Sequence, residues 1–543
     1  MSGKYDIVIV GSGGGGLTAA LVATSLGKSA VVLEKGPTIG GTFAYSTGLA
    51  WIPNNRHMQA AGIDDSVEEA CAHIRSLSGG RHDEALLRSF VTNSSAAIAF
   101  LEDRCGVPFE MPDNFPDYYS ELEGGKVAGR HLSSPIFPAK EHLPDEWRSQ
   151  LTNSPYYAMV PASWKEIQGW GGFGTVATWD WTMLAQRIRD DYRAFGSAVA
   201  GWMLASLIRQ NVAVRPHADV RSLVVDAGRV VGVRASTPAG DELFEARYGV
   251  ILATGGYDGS EVLKRRWDPH PMTVRLGAPT VDGSGLVMAL EQGAAMAMFD
   301  GQLLVPAYNI PGEAAADQPL YRLFIRELCF PGSMVVNRRG KRFGDETFYR
   351  DLCHEMVHFD PLSQEFPNLE SYFICDQEWK DRYPLASVMP GDVPGWMISA
   401  DTPAELARKI DVDEDGLTET IATFNGPASR GEDPAFGRGS TNHGRNGGDP
   451  SVQPNPCVRP LQGRLYAVRM ALGTAGTNSG LVINHEAQVM HVRGDPIPGL
   501  YAAGNVAANL AEGLWYNGGI SNAKGMTFGY IAVRNALDAA PVG

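Results

Sequence analysis

The sequence predicts an α/β fold built around a parallel sheet of the Rossmann-like type, and three observations support it. Residues 5–10 form a short apolar run, typical of a buried parallel strand, and lead into a glycine-rich turn. A second apolar run, residues 30–33, follows one helix length later and ends at an acidic residue. A third apolar run, residues 250–253, is followed by a threonine and two glycines. At 543 residues the chain is too long for one ordinary core, so two domains are expected.

Composition excludes several classes of function. With 46 Lys and Arg against 61 Asp and Glu, the net charge of −15 disfavours nucleic-acid binding, which needs clustered basic residues. The six cysteines include no C-x-x-C pair, so we expect reduced thiols and neither a metal site nor a disulfide framework. The N-terminus lacks the pattern of a signal peptide, and no apolar stretch is long enough for a transmembrane helix, so a cytoplasmic location is expected.

The glycine-rich turn fits the dinucleotide-binding pattern G-x-G-x-x-G. Gly11 permits the tight turn, and Gly13 and its neighbour Gly14 let a pyrophosphate approach the backbone. Gly16 lets the following helix pack closely against the strand, and the helix N-terminus faces the phosphates. Glu34, which ends the second strand, is placed to accept hydrogen bonds from a ribose.

Three separated segments specify which dinucleotide is bound. Residues 35–42 resemble the segment that follows the ribose-binding acid in FAD enzymes of the glutathione reductase type. Residues 250–256 resemble the A-T-G-G strand end of that superfamily, and residues 499–505 resemble its late G-L-Y-A-A-G-N motif. The resemblance implies FAD, held without a covalent bond because residues 41–46 contain no histidine. The FAD contacts expected in these segments are Lys35, Gly41, Thr42, Ala253, Thr254, Gly255, Gly504 and Asn505.

FAD signatures at both ends of the chain imply a discontinuous cofactor domain. Residues 1–297 and 473–543 are predicted to build it, and residues 298–472 are predicted to form an inserted α+β catalytic or capping domain. Residues 225–233 are typical of a hairpin, a helix is expected to begin after Asp401 or Thr402, and residues 430–460 are expected to form a long ordered loop.

An aromatic-rich insertion occupies about residues 145–185. It holds five of the chain's eleven tryptophans, together with tyrosines, a phenylalanine and prolines. We expect a lid over the cofactor or a subunit contact. The alternative is an interfacial patch that makes peripheral membrane contact and helps an apolar substrate leave the bilayer.

Over nearly its whole length, the chain resembles the fumarate reductase-like flavoproteins and, within them, the 3-ketosteroid Δ1-dehydrogenases. The most diagnostic stretches are residues 48–55, 117–125, 331–343, 433–439, 504–505, 516–519 and 526–530. The resemblance implies that Tyr349 takes the substrate's α-proton, assisted by Tyr118. It also implies that the hydroxyl of Tyr516 and the backbone N–H of Gly519 hold the ketone oxygen. The 516–519 segment is one residue shorter than the usual Y-P-G-x-G, so Gly518 is an alternative amide donor.

The implied reaction is FAD-dependent C1–C2 desaturation of ring A of a 3-ketosteroid, including bulky ketones such as cholest-4-en-3-one. Donors on the carbonyl stabilise the developing enolate, and the flavin accepts the β-hydrogen as hydride. An external electron acceptor then reoxidises the flavin. Alternatives are desaturation of a smaller ketone such as 4-oxocyclohexanecarboxylate, reduction of fumarate or urocanate, and flavin binding without catalysis. Against reduction, the basic residues 338–342 are expected to be turn residues of a surface hairpin.

Overall fold

The computed structural model describes residues 3–157, 160–270, 272–299, 302–315, 318–511 and 517–539. Its strands are β1 (Gly3–Val10), β2 (Ala30–Leu33), β3 (Ala50–Trp51), β4 (His131–Leu132), β5 (Phe137–Pro138), β6 (Tyr192–Arg193), β7 (Ala213–Arg215), β8 (Asp219–Asp226), β9 (Arg229–Thr237), β10 (Gly240–Leu252), β11 (Val274–Arg275), β12 (Met296–Ala297), β13 (Gln302–Ala315), β14 (Gln318–Leu323), β15 (Ser333–Asn337), β16 (Ser371–Asp376), β17 (Ile398–Ala400), β18 (Leu465–Arg469), β19 (Ala471–Thr477), β20 (Gly480–Leu481), β21 (Gln488–Met490) and β22 (Pro496–Ala502).

The helices are α1 (Gly14–Ser25), α2 (Gly41–Tyr45), α3 (Arg56–Ala60), α4 (Val67–Leu77), α5 (Glu84–Cys105), α6 (Ala139–His142), α7 (Asp145–Gln150), α8 (Trp164–Gly169), α9 (Trp181–Arg189), α10 (Phe195–Arg209), α11 (Glu261–Trp267), α12 (Ser284–Leu290), α13 (Arg326–Cys329), α14 (Tyr349–Met356), α15 (Gln377–Arg382), α16 (Pro403–Ile410), α17 (Glu414–Ala428), α18 (Asn442–Gly447) and α19 (Ile520–Asp538). Short 3-10 helices lie at Phe173–Thr178 and Gly504–Val506.

The largest sheet contains the predicted parallel strands. Its central order is β21-β22-β10-β1-β2-β7, and β22, β10, β1, β2 and β7 run parallel. In register, Ile7 of β1 pairs with Ala30 of β2 and with Gly249 of β10. The hairpin predicted at residues 225–233 is confirmed, because β8 and β9 pair antiparallel across it.

Helices α1, α5 and α19 pack against one another beside this sheet. The apolar side chains at the centre of β1 are fully buried, as expected for a parallel strand covered on both faces. Because α1 begins near the N-terminus and α19 ends near the C-terminus, the two ends of the chain share one core. This arrangement agrees with the α/β cofactor domain that the sequence predicts.

Two further four-stranded sheets lie largely within the segment predicted to form the second domain. Their orders are β11-β19-β13-β14 and β15-β16-β18-β17. Strand β19 runs across the predicted boundary at 472/473 and pairs with both β11 and β13, so the two sequence segments share a sheet there. The domain division itself stays a prediction.

Several local predictions can be compared directly with the structure. Thr402 caps α16, and its side chain accepts a hydrogen bond from the N–H of Glu405. The segment 430–460 is not entirely loop, because α18 forms within it after the N-cap Thr441. All six cysteines are free and buried, as expected.

The interpretation of residues 338–342 as surface turn residues is wrong for Arg342. Its side chain is only 5% exposed and binds the carboxylates of Glu346 and Asp433. Charge patterning alone cannot show that two carboxylates from distant segments converge on one guanidinium. Arg338, whose side chain is 53% exposed, is a surface residue as predicted.

The aromatic-rich insertion folds into α7, α8, a 3-10 helix and α9. Trp164 and Trp179 are buried and cluster with Leu49, Phe115 and Phe195 from outside the insertion. These rings therefore form a hydrophobic core of their own. The lid, subunit-contact and membrane-contact interpretations of the segment stay predictions. Within the described ranges, no helix combines the length and apolar character needed to cross a membrane.

Candidate active site

One continuous cavity contains most of the residues that sequence analysis assigned to the cofactor and to catalysis. Its lining includes Gly11, Gly13, Gly14, Glu34, Lys35, Gly41, Thr42, Ala253, Thr254, Gly255, Gly504, Asn505, Tyr118, Tyr349, Gly518 and Gly519. Gly16 does not line the cavity, and Tyr516 lies outside the described residues. The predicted cofactor residues and the predicted catalytic residues thus share one space.

At two positions of the glycine-rich turn, nearby backbone carbonyl groups leave no room for a side chain. Gly11 has a φ of +100°, and a Cβ there would lie 2.4 Å from the carbonyl oxygen of Ala253. A Cβ on Gly16 would lie 2.0 Å from the carbonyl oxygen of Gly11, so this glycine serves strand–helix packing. No side chain caps the N-terminus of α1, so its first N–H groups are available to the pyrophosphate of a dinucleotide.

Glu34 is a buried acid at the end of β2. One carboxylate oxygen accepts hydrogen bonds from the N–H of Ser12, at 3.0 Å, and from its hydroxyl, at 2.5 Å. The other accepts from the N–H of Gly36 at 2.8 Å. Burial raises the pKa of Glu34, whereas these hydrogen bonds lower it. No motif in the sequence marks Ser12 as a site residue. In the structure its N–H and hydroxyl orient the Glu34 carboxylate for a ribose.

Lys35 lines the cavity next to Glu34, but its ammonium group is already paired. It forms an ion pair with Asp282 and lies 3.8 Å from Asp219. Thr42 lies further along the cavity, and its hydroxyl accepts a hydrogen bond from the N–H of Ala278 at 3.0 Å. The glycine turn, the oriented acid and the uncapped helix together fit the adenosine diphosphate part of FAD.

Two tyrosines meet at the opposite part of the cavity. Tyr349 Oη lies 3.2 Å from Tyr118 Oη, and the rings are nearly perpendicular with centroids 5.9 Å apart. Burial raises the pKa of Tyr118, and the contact with Tyr349 opposes that rise. His443 packs on the Tyr118 ring at 4.3 Å between centroids, and burial lowers the pKa of His443 to about 3. A neutral aromatic neighbour therefore supports Tyr118.

Tyr349 occupies the first position of α14 and is only 3% exposed. The N-terminus of a helix carries partial positive charge, and helical side chains lean toward that end. In the structure the Tyr349 hydroxyl donates to Tyr118 Oη. A phenolate formed at Tyr349 is therefore favoured by its backbone setting, and Tyr118 can donate to it once the Tyr349 proton has left.

The start of α19 faces the same space. Gly519 is the N-cap of this helix, with a φ of +81° that favours glycine. Among the described residues, neither Gly518 nor Gly519 donates its N–H to another group. Both N–H groups are therefore suited to an anionic or carbonyl oxygen in the cavity, and the choice between them stays open.

Apolar side chains form a wall in another part of the cavity. Leu303 and Val305 of β13 and Leu323 at the end of β14 line it, as does Ile325 just beyond. Tyr156 lines it as well and donates its hydroxyl to the carbonyl oxygen of Leu276 at 2.6 Å. Apart from the strand-like pattern of their segments, no motif marks these residues in the sequence.

A cradle for a dinucleotide, a phenol pair, backbone donors and apolar side chains in one cavity fit a flavoprotein oxidoreductase. The comparisons with known proteins agree. The family described as FAD binding domain matches residues 6–521. The chain is 35% identical to 4-oxocyclohexanecarboxylate 2-dehydrogenase of Sinomonas cyclohexanicum, over 98% of this chain and 92% of that protein. It is 32% identical to 3-oxosteroid 1-dehydrogenase of Mycolicibacterium smegmatis, over 99% of this chain and 97% of that protein.

A solved structure shows the same similarity. The 3-ketosteroid Δ1-dehydrogenase of Sterolibacterium denitrificans, in complex with 1,4-androstadiene-3,17-dione, superposes with a TM-score of 0.90. It is 28% identical and covers 99% of this chain and 100% of its own. The chain therefore belongs to the 3-ketosteroid Δ1-dehydrogenase family of FAD-binding flavoproteins. It is an FAD-dependent oxidoreductase that acts on CH–CH groups.

Proposed function

We propose that this protein desaturates ring A of a 3-ketosteroid, forming the C1–C2 double bond. The observation that carries the proposal is the contact between the hydroxyls of Tyr118 and Tyr349 in the cavity that the Gly518–Gly519 turn also lines. A proton acceptor and donors for a ketone oxygen are the two groups that α-proton removal requires.

In the proposed mechanism, Tyr349 removes the α-proton. An unperturbed tyrosine has a pKa of about 10, so this step needs its phenolate to be stabilised. Tyr118, which accepts a hydrogen bond from Tyr349 across the 3.2 Å contact, donates in turn once the Tyr349 proton has left, and the N-terminus of α14 adds partial positive charge. The N–H of Gly518 or Gly519, with Tyr516, holds the ketone oxygen as negative charge develops. Bound FAD supplies the acceptor for the β-hydrogen, which leaves as hydride.

The cavity lining favours an uncharged ketone. Among the described residues that line it, Lys35 is the only basic side chain, and its ammonium is paired with Asp282. The wall built by Leu303, Val305, Leu323 and Ile325 suits the hydrocarbon face of a steroid. A substrate carboxylate would find no unpaired cation in this part of the lining.

Desaturation of a small cyclic keto acid is the second candidate function. The 35% identity to 4-oxocyclohexanecarboxylate 2-dehydrogenase, over 98% of the chain, favours it. Reduction of fumarate-like acids has less support, because such chemistry clamps carboxylates with arginine. Arg342, in the arginine-rich segment, is already paired with Glu346 and Asp433.

Anaerobic bleaching of the flavin separates these candidates. The purified FAD-loaded protein is mixed separately with androst-4-ene-3,17-dione, cholest-4-en-3-one and 4-oxocyclohexanecarboxylate, and the oxidised-flavin absorbance is followed. We expect rapid bleaching by at least one steroid and little by the acid. Bleaching by the acid alone would contradict the steroid assignment and support the second candidate. No bleaching by any ketone, with reoxidation of the reduced protein by fumarate, would contradict ketone desaturation altogether.

A further inference from the structure

Asn517 lies between the predicted oxyanion donors Tyr516 and Gly518, and its side chain is completely buried. Its Oδ1 accepts a hydrogen bond of 2.8 Å from the backbone N–H of Tyr118, which is 399 positions away in the chain. One amide thus joins the segment that carries Tyr118, the proposed assistant of the base Tyr349, to the turn that carries the proposed carbonyl donors. The usual family motif places proline here, and proline has no such side-chain acceptor.

The Tyr118 end of this bond is held rigidly. Asp117 accepts hydrogen bonds from Trp51 Nε1 at 2.7 Å, from Arg130 Nη1 at 2.9 Å and from the N–H of Lys126 at 3.1 Å. Arg130 is fully buried and also binds the carboxylate of Asp65. The backbone of Tyr118 therefore provides a fixed reference point next to a satisfied ionic network.

The other end of the turn is anchored separately. The carbonyl oxygen of Gly519 accepts a hydrogen bond from the N–H of Trp51 at 3.3 Å. In the first turn of α19, Asn522 donates to the carbonyl oxygen of Leu49 at 2.8 Å. These bonds fix the turn after the two glycines, whereas Asn517 fixes it before them. Among the described residues, the Asn517 side chain is the group that ties the start of this turn to the backbone of Tyr118.

We propose that Asn517 is a positioning residue that sets the distance between the tyrosine pair and the Gly518–Gly519 donors. The proposal rests on the proposed function. In a ketone, the α-carbon is bonded directly to the carbonyl carbon, so the base and the oxygen donors must keep a fixed separation. Misplacing a catalytic group by 1 Å costs about 100-fold in rate, and Asn517 is the side chain that sets this spacing.

The experiment measures flavin reduction in Asn517→Leu, which removes the acceptor, and in Asn517→Asp, which keeps an oxygen at the same place. The matched control is Asn425→Leu. Asn425 also bridges distant segments by accepting from the N–H of Leu461 at 2.9 Å, but it does not line the cavity. Each FAD-loaded variant is mixed anaerobically with androst-4-ene-3,17-dione, and the rate per bound flavin is fitted against ketone concentration.

We expect Asn517→Leu to lower the saturating rate about 100-fold per bound flavin. Asn517→Asp should recover most of that loss, and Asn425→Leu should stay near the wild-type rate. A wild-type rate in Asn517→Leu, or a loss that follows flavin content alone, would overturn the positioning role. If Asn517→Leu does not bind FAD, Asn517→Ser is measured in its place. The serine side chain is too short to reach the N–H of Tyr118, so this variant also removes the bond. A wild-type protein that no ketone bleaches would instead contradict the proposed function.

Discussion

Replacing Gly518 with alanine would test the role of the Tyr118–Tyr349 contact. The added methyl group crowds Tyr118 and removes no functional group. The φ of Gly518 lies outside the left-handed region, so its backbone accepts an L side chain. The added Cβ would lie 2.7 Å from Tyr118 Oη and 2.9 Å from two ring carbons of that residue, whereas ordinary contact begins at 3.4 Å. Either the phenol or the turn must therefore yield by roughly 0.7 Å.

That displacement is large relative to the contact it disturbs. Tyr118 Oη and Tyr349 Oη are 3.2 Å apart, so a shift of the phenol away from Tyr349 by only part of that amount takes the pair beyond hydrogen-bonding distance. If the turn yields instead, the carbonyl donors move by a similar amount. Either way we expect the rate of flavin reduction to fall by about 10- to 100-fold, with FAD binding retained. Tyr118→Phe should cause a comparable loss, and the double variant should lose little more, because both changes act on one interaction.

The assay is anaerobic stopped-flow reduction with a saturating ketone that bleaches the wild-type flavin. Gly395→Ala is the matched control, since Gly395 does not line the cavity, its φ lies outside the left-handed region, and a Cβ there meets no atom within 4 Å apart from its chain neighbours. That control should leave the rate unchanged. A wild-type rate in Gly518→Ala, with Tyr118→Phe impaired, would refute the steric reasoning. Wild-type rates in both would remove Tyr118 from the mechanism.

The remaining predictions concern catalysis, pH and buried charge. Tyr349→Phe should lower turnover by about 10²- to 10⁴-fold and Tyr516→Phe by about 10²- to 10³-fold, with full FAD absorbance; near-normal turnover in both would contradict their roles. Burial lowers the pKa of Lys524 from 10.5 to about 7. Burying its charged form therefore lowers the free energy of unfolding most below pH 7, and this cost disappears as the pH rises to 10.5. The melting temperature of the wild type should therefore rise relative to Lys524→Met between pH 7 and 10, and parallel curves would exclude this titration. Arg342→Met removes the guanidinium that pairs with the buried Asp433 and leaves Glu346 paired with Arg438 alone, at 3.1 Å. It should lower the free energy of unfolding by about 3–5 kcal/mol in urea, whereas Arg338→Met, at a half-exposed position, should cost less than about 1 kcal/mol.

Features encoded by consecutive residues were predictable from the sequence. The strand–turn–helix around Gly11 and Gly16 and the acid at Glu34 follow from short-range sterics, and the structure has each in place. Thr402 as a helix cap is equally local. Such patterns need no knowledge of distant residues.

Features that depend on distant partners were not predictable in the same way. The bond between Asn517 and Tyr118 joins positions 399 apart, and no spacing rule indicates it. His443 was missed although it packs on Tyr118, because α18 places it there from a segment expected to be loop. Arg342 was placed on the surface because its carboxylate partners are brought together only by the tertiary fold. The resemblance to a known family implied roles for the tyrosines, but it did not indicate the side chains that hold them.

The burial of all six cysteines affects how readily the protein's thiols are oxidised. Reduced flavins that meet oxygen generate hydrogen peroxide, and peroxide attacks exposed thiolates in preference to buried thiols. All six thiols are buried, and burial raises the pKa of Cys329 to about 11. Cys353 and Cys375 are shifted in the same direction by the same cause. These buried thiols are therefore poor targets for peroxide, because susceptibility to sulfenic-acid formation follows thiolate character and exposure.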